Sequence, residues 1–163
     1  MGPTVACYIE FIRAIMGINS ALLPDNSAYI QWSYQVALAT VNKQLKAVCA
    51  PRSPYTSIYG LAVYNLAGDR LVNYAQDLPG AEVIEGSNPP MKFFAYMRTT
   101  LNLSGFTSGV VQSTGDEATN VSLVVPKAFE SLTLSDLQRL KTPWGRQYLE
   151  LVQDFGPSAW GIS

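Results

Sequence analysis

The chain of 163 residues is long enough for one domain with a sizeable core and too short for two comfortable ones. Hydrophobic residues make up 48% of it and charged residues only 14%, so something other than water must cover part of its surface. The net charge of −1, with 11 basic residues spread along the chain, argues against a protein that wraps nucleic acid.

Either a membrane or a protein partner could cover the apolar surplus. No stretch reaches the roughly 18 apolar residues of a membrane helix, and polar side chains interrupt the least charged segments, residues 26–42 and 53–68. Residues 1–10 lack the basic region and apolar run of a secretion sequence, so we expect the protein to stay in the cytosol. Cys7 and Cys49 form no Cys-x-x-Cys unit and are predicted to be buried free thiols. A protein partner is therefore favoured.

Two helices are predicted in the first third of the chain. Residues 4 to about 17 carry apolar side chains at helical spacing, with Thr4 to cap the helix and Gly17 to end it. This apolar face consists of Val5, Tyr8, Ile9, Ile12, Ile15 and Met16. The second helix, residues 27 to about 49, has its apolar stripe at Ile30, Tyr34, Ala37, Val41, Leu45 and Val48. Because apolar residues such as Trp32 also occupy its other faces, we expect contacts on two sides.

A third helix is predicted from Ser53, as its cap, to about residue 76. Its small residues, among them Gly60 and Gly68, would let another backbone approach closely. Asn65, Asp69 and Asn73 follow one another at intervals of four and form a polar row. That row is either a hydrogen-bond ladder to a neighbouring chain or a solvated helix edge.

The flank formed by the second and third helices predicts a contact between subunits. Between Asp25 and Asp69 the sequence holds only three charged residues, all near one end of the helical pair. Large exposed apolar surfaces usually mark contact sites, and association of identical chains commonly covers them. We therefore expect a ring or another multimer. The predicted interface residues are Trp32, Gly60, Asn65, Gly68, Asp69 and Asn73.

A loop, a helix and a hairpin are predicted in the next part of the chain. Residues 78–90 are rich in Gly and Pro and should expose Glu82 and Glu85, and residues 91–102 should form a helix. The β-branched segments 106–112 and 121–125 predict two strands, separated by a polar turn. We expect the tip of this hairpin to project and to contact another molecule. The predicted contact residues are Gly115, Asp116 and Glu117.

The C-terminal part is predicted to hold two short helices and a tail. Thr133 and Asp136 match a capping box before a helix that ends near residue 141, and Pro143 begins another over residues 143–154. The predicted fold class is mainly α, a bundle of about four to five helices with one projecting β-hairpin and an extended tail. The single domain is divided into the bundle (1–104), the hairpin (105–126), the C-terminal helices (127–155) and the tail (156–163).

Residues for catalysis, metal binding and cofactor binding were sought and none is predicted. The chain contains no histidine, which removes the commonest general base and metal ligand. It has no Gly-x-Gly-x-x-Gly and no phosphate-binding Gly-Lys-Ser/Thr motif. The carboxylate pairs Asp116/Glu117 and Glu82/Glu85 lie in polar segments, where water would leave them with ordinary properties. We therefore expect the protein not to be an enzyme.

Several stretches resemble the head-to-tail adaptor, or connector, proteins of tailed bacteriophages. They are YNLAGD at residues 64–69, SGFTSGVVQS at 104–113, TPWGR at 142–146 and FGPSAWG at 155–161. The low charge, the hairpin and the aromatic tail are similar to that family as well.

The resemblance implies a virion protein, made in the cytoplasm of the bacterial host, that forms a ring of about twelve subunits. Such a ring would dock under the portal protein, hold a tail or nozzle protein below it, and let DNA pass through its lumen without specific binding. The resemblance also implies that the C-terminal segment contacts the portal. Its candidate portal-binding residues are Phe155, Trp160 and Ile162.

Two alternatives from other classes stay open. The first is another neck or tail assembly protein of a phage, which would share the oligomer but contact a different partner. The second is a small helical domain that encloses an apolar ligand among aromatic side chains. The residues that would line that ligand are Trp32, Tyr34, Phe93 and Phe94.

Overall fold

The computed structural model of the chain describes residues 2–47, 57–105, 113–116, 119–122 and 133–155. These described residues form six α-helices, so the prediction of a mainly helical fold is confirmed. The helices are α1 (Val5–Ala14), α2 (Ala28–Thr40), α3 (Ile58–Tyr74), α4 (Phe93–Thr100), α5 (Leu134–Arg139) and α6 (Pro143–Phe155). Within the same residues, no helix has both the length and the hydrophobicity needed to span a membrane.

The first helix, α1, is shorter than predicted. The Thr4 side chain accepts a hydrogen bond from the amide of Cys7, as expected of its cap, but the helix ends at Ala14 instead of near Gly17. The guanidinium of Arg13 donates to the carbonyls of Ile18 and Leu23, both at 2.6 Å, and so holds the chain as it turns back. Ile15, predicted for the apolar face, consequently points outward and is 66% exposed.

The second helix, α2, begins after Ser27 as predicted but ends at Thr40, well before residue 49. Val41 adopts an extended conformation there. The Asn42 side chain then accepts a hydrogen bond from the Gln44 amide and opens a 3-10 helix, Lys43–Ala47. An asparagine that bonds the backbone locally competes with helix continuation, a tendency that hydrophobic periodicity does not reveal.

The third helix, α3, is the centre of the bundle. Ser57 caps it by accepting from the Gly60 amide at 2.8 Å, while the predicted cap, Ser53, lies outside the described residues. From Ile58 to Val72, a fully described stretch, every residue except Leu61 and Arg70 is buried. Helix α3 packs mainly against α2 and α6. A helix buried nearly all round needs partners on several sides.

Three tyrosines hold α1, α2 and α3 together. The ring of Tyr8 stacks against Tyr34 and Tyr64, with centroid distances of 5.9 and 6.1 Å. Burial raises the pKa of the Tyr8 phenol, whose oxygen lies 3.1 Å from the Ser33 hydroxyl. The Tyr34 hydroxyl donates to the Pro3 carbonyl at 2.8 Å, so these buried polar groups are satisfied within the chain.

Two charged side chains fasten α4 to the end of α3. The Asp77 carboxylate accepts hydrogen bonds from the amides of Phe94 and Ala95, at 2.7 and 3.1 Å. The Arg98 guanidinium in turn donates to the Ala75 carbonyl at 2.6 Å. Each charge therefore complements a helix end, negative at the start of α4 and positive at the end of α3.

The hairpin is not supported in the form predicted from the sequence. Strands β1 (Ser113–Asp116) and β2 (Thr119–Ser122) pair antiparallel, with Ser113 opposite Ser122. Gly115 and Asp116, assigned to an exposed turn, thus lie within a strand, whereas Glu117 and residues 106–112 are outside the described residues. Only two residues separate the paired strands in the sequence. The polar residues 113–116, expected to form a turn, therefore take part in strand pairing instead.

The C-terminal helices agree with the predictions. The Thr133 side chain accepts from the Asp136 amide at 3.2 Å and the Asp136 carboxylate accepts from the Thr133 amide at 3.0 Å, which confirms the capping box. Helix α6 begins at Pro143 and ends at Phe155, within one residue of the predicted bounds. In the loop before α4, Glu82 and Glu85 are exposed, as expected.

Gly68 gives α3 the close helix approach that its small residues predict, but the approach is made within the chain. A Cβ atom at this position would lie 3.1 Å from the Met16 sulfur and 3.5 Å from the Trp144 ring. Gly68 therefore lets the end of α1 and the start of α6 pack onto α3. Cys7 is a free thiol, half-buried instead of buried.

We predict that Gly68→Leu lowers the free energy of unfolding by about 1–3 kcal/mol, because a larger side chain overpacks the contact with Met16 and Trp144. Denaturation in urea measures the change. Gly80→Leu is the matched control, since a Cβ at Gly80 meets no atom within 4 Å. Equal stability of the Gly68→Leu protein and the wild type would contradict the close packing.

Candidate functional site

An apolar groove runs between α1, α3 and α6. It has a volume of about 530 Å³, and its walls include the exposed side chain of Ile15 and the indole of Trp144. Pro143 and Leu151 continue the α6 wall, and Phe11 and Leu61 form part of the remainder. A groove of this size and composition fits one or two large apolar side chains.

A pair of exposed aromatic side chains lies on the other side of α3. Trp32 is 43% exposed and Tyr74 is 57% exposed, and their rings meet edge to face at 5.2 Å. On α3, Asn65, which lines the groove, and Tyr74 are nine positions apart. At about 3.6 residues per turn this is two and a half turns, so the groove and the aromatic pair face opposite directions.

A buried hydrogen-bond chain joins α3 to α6. The Thr142 hydroxyl donates to Asp69 Oδ1 at 2.6 Å and accepts from the Gly145 amide at 2.8 Å. Both Asp69 and Thr142 are buried. A Cβ atom on Gly145 would lie 2.1 Å from the Arg139 carbonyl oxygen, so this turn accepts only glycine. These hydrogen bonds cap α6 and place its first turn, including Trp144, against α3.

Burial raises the pKa of the Asp69 carboxyl above its ordinary value. The hydrogen bond from Thr142 and the positive charges of Arg139 and Arg70 act in the opposite direction without cancelling the effect. A buried carboxylate without these partners would be costly. The arrangement is that of a structural polar group held inside the fold.

The predicted polar row on α3 is satisfied inside the chain. The Asn65 amide donates to the Leu61 carbonyl at 2.9 Å, and the Asn73 amide donates to the Asp69 carbonyl at 2.8 Å. Asn65 and Asn73 thus bond their own helix, and the ladder to a neighbouring chain stays a prediction. Of the predicted interface residues, Gly60, Asn65, Gly68 and Asp69 are buried, Asn73 is half-buried and Trp32 is exposed.

The other predicted site residues are dispersed. Tyr34 stacks on Tyr8, Trp32 on Tyr74, and Phe93 contacts Phe94 edge to face at 5.3 Å, so the four aromatic residues of the proposed ligand pocket fall into separate contacts. Phe155, at the end of α6, is half-buried against the core. Trp160 and Ile162 lie outside the described residues.

No role at a site was predicted from the sequence for Thr142, Gly145, Arg70 or Arg139. Thr142 before Pro143 is a recognisable start of a helix, so its capping role was accessible from the pattern. Its bond to Asp69, 73 residues away, was not, because only the packing of α6 on α3 brings the two together. Among the described residues, no group of three or more acidic, Cys or His side chains is placed to hold a metal ion.

The sequence matches no known protein family, and no curated protein or solved structure is significantly similar to it. Any role for the groove, the aromatic pair and the buried hydrogen-bond chain is therefore inferred from their geometry.

We predict that Asp69→Ala destabilises the protein by about 1–3 kcal/mol because the buried Thr142 hydroxyl loses its acceptor. Asp69→Asn should be tolerated much better, since the amide oxygen can still accept that bond. Urea denaturation of the three proteins measures the difference. Equal losses in the two variants would show that the hydrogen bond is not the important contribution.

The pH dependence provides a second readout. Because the folded-state pKa of Asp69 is raised, its contribution to stability is greatest below the ordinary aspartate pKa and is lost as the pH rises through the folded value. The wild type should therefore lose stability relative to Asp69→Asn over that range. A difference that is constant with pH would contradict the raised pKa.

Proposed function

We propose that this protein is a virion structural protein that assembles into a ring connecting the portal of a phage head to its tail. The observation that carries the proposal is the apolar groove on one side of α3 and the exposed pair Trp32–Tyr74 on the opposite side. The sequence resemblance to phage connectors supplies the biological setting.

Opposed complementary surfaces favour a ring. When a patch on one side of a subunit binds a different patch on the opposite side of the next, the contact repeats head to tail and closes into a ring if the rotation permits. In the proposed contact, Trp32 and Tyr74 of one copy enter the groove of a second copy beside Ile15 and Trp144. Tryptophan and tyrosine anchors in a pocket are typical of residues that dominate interface energy.

The proposed interface differs from the set expected from the sequence. Trp32 and Asn73 are accessible and keep their proposed roles, and Asn65 contributes to the floor of the groove. Gly68 and Asp69 act indirectly, because they hold α3 against the helices that form the walls, and Gly60 is buried. Gly115, Asp116 and Glu117 are proposed as a further contact to another molecule.

The proposed partner at the C-terminal end is the portal protein. Phe155 ends α6, and the following residues include Trp160 and Ile162, which would serve as apolar anchors. A tail or nozzle protein would bind the other end of the ring. DNA would pass through the lumen without specific binding, in keeping with the small net charge.

A neck or tail assembly protein of another kind is the second candidate. The same groove and aromatic pair support its assembly equally, and only the identity of the partner differs. A small helical domain for an apolar ligand is less favoured, because the four aromatic residues expected to line its pocket lie in separate contacts.

We predict that Ile15→Asp weakens association and leaves the subunit folded. Ile15 is largely exposed, so the charge costs the monomer little, but in the ring it would be buried against an aromatic side chain without a partner. The association constant should fall about 10-fold or more, which native mass spectrometry measures with and without assembled portal. Val83→Asp, at a half-exposed loop residue outside the groove, is the matched control. Unchanged assembly of the Ile15→Asp chain would refute the groove contact.

We also predict that a chain truncated after Phe155 keeps its melting temperature and no longer binds assembled portal. A truncated tryptophan anchor costs about 2 kcal/mol or more per subunit, and the loss is repeated around the ring. Thermal denaturation and co-sedimentation with portal measure the two properties. A large fall in melting temperature, or undiminished docking, would show that the tail is not the portal anchor.

A further inference from the structure

Arg70 holds a polar atom that lacks a partner. Among the described residues, Nε of Arg70 is a buried side-chain atom that makes no hydrogen bond. Leaving such a donor unpaired is costly, so an unsatisfied group in an otherwise well-bonded fold requires an explanation. Nε itself is closed to solvent, so any acceptor for this guanidinium has to approach its terminal N–H groups from a space that Arg70 lines.

Arg70 does border such a space. A cleft of about 420 Å³ lies between the last turns of α3 and the start of α5, and Arg70 and Arg139 both line it. Four neutral side chains with hydrogen-bond donors also line it. These are Asn73, Ser104, Ser135 and Gln138.

The charges around the cleft leave capacity for an anion. Arg139 donates one nitrogen, Nη1, to the Asp136 carboxylate at 2.7 Å, and a guanidinium has five N–H groups in all. Asp69 also lines the cleft, but its Oδ1 already accepts the short hydrogen bond from Thr142. Lys141 lies nearby, with its ammonium on the Gly105 carbonyl. The three cations therefore outnumber the two carboxylates.

We propose that this cleft binds a phosphate group. Two guanidinium groups with two hydroxyls and two amides offer more donors than the two oxygens of a carboxylate can use, whereas a phosphate has at least three accepting oxygens. The volume exceeds that of phosphate alone, so an ester group also fits. Tyr74 at the edge of the cleft offers a ring on which the base of a nucleotide could stack.

The cleft is formed by one chain, so it does not require the proposed ring, but Asn73 and Tyr74 belong both to the cleft and to the proposed contact between subunits. Binding is therefore measured on the unassembled subunit. Free phosphate and the phosphate of a nucleotide share the same chemistry at the two arginines. The experiment is designed to distinguish these two sources.

The test is isothermal titration calorimetry of the full chain with inorganic phosphate, at an ionic strength held constant with sodium chloride. We expect saturable binding by the wild type. The affinity of Arg70→Gln should be lower by at least about 10-fold, since a charge-assisted hydrogen bond is lost. Lys43→Gln removes the same charge from an exposed residue outside the cleft and should bind like the wild type. Thermal denaturation of both variants checks that a lower affinity does not come from unfolding, because the charge of Arg70 also interacts favourably with the buried Asp69 carboxylate.

Further titrations identify the source of the phosphate. Tighter binding of thymidine monophosphate than of inorganic phosphate, with no binding of thymidine, supports an esterified phosphate, and equal binding of the two phosphates supports the free ion. The proposal is overturned if the wild type shows no saturable binding up to about 10 mM phosphate, a limit beyond which an affinity has little meaning. It is also overturned if Arg70→Gln binds as tightly as the wild type, or if malonate binds as tightly as phosphate.

Discussion

The hydrogen bond from the Thr142 hydroxyl to the Asp69 carboxylate is the contact on which the arrangement of the bundle depends. Helix α3 is buried on nearly all sides, so each polar group on it must find a partner inside the chain. Thr142 satisfies the most demanding of these groups and, through the Gly145 amide, also caps α6. One hydroxyl thus fixes both where the last helix begins and where it lies on the central helix.

The same constraint determines which surfaces are left uncovered. Once α6 is placed by its first turn, Trp144 packs against Gly68 and the remaining gap between α1 and α6 becomes the apolar groove. Arg13 donates to the carbonyls of Ile18 and Leu23 and so turns the chain back after α1. This turn leaves Ile15 at the edge of the gap. The groove is therefore a consequence of how the helices are anchored, and its walls are mostly apolar, with Glu10, Asn65 and Gln147 as the polar residues among them.

The end of α3 has the opposite character. There Arg70, Asn73 and Tyr74 face a polar cleft, and the Asp77 and Arg98 side chains tie the neighbouring helix in place. One helix thus contributes to an apolar groove towards its start and to a cleft lined by two arginines towards its end. The two proposals meet at Tyr74, which belongs both to the aromatic pair and to the lining of the cleft.

Local patterns in the sequence were sufficient to predict the helical class, the capping box at Thr133, the start of α6 at Pro143 and the apolar stripe of α2, because each depends on residues within a few positions. They did not predict the end of α2, where Asn42 bonds the backbone locally, or the strand register at Ser113. Only the tertiary structure showed that Asp69 lies against Thr142 and that the close approach at Gly68 is made within the chain. Hydrophobic periodicity shows that a face is buried without showing what buries it, and that choice is made by contacts between residues far apart in the sequence.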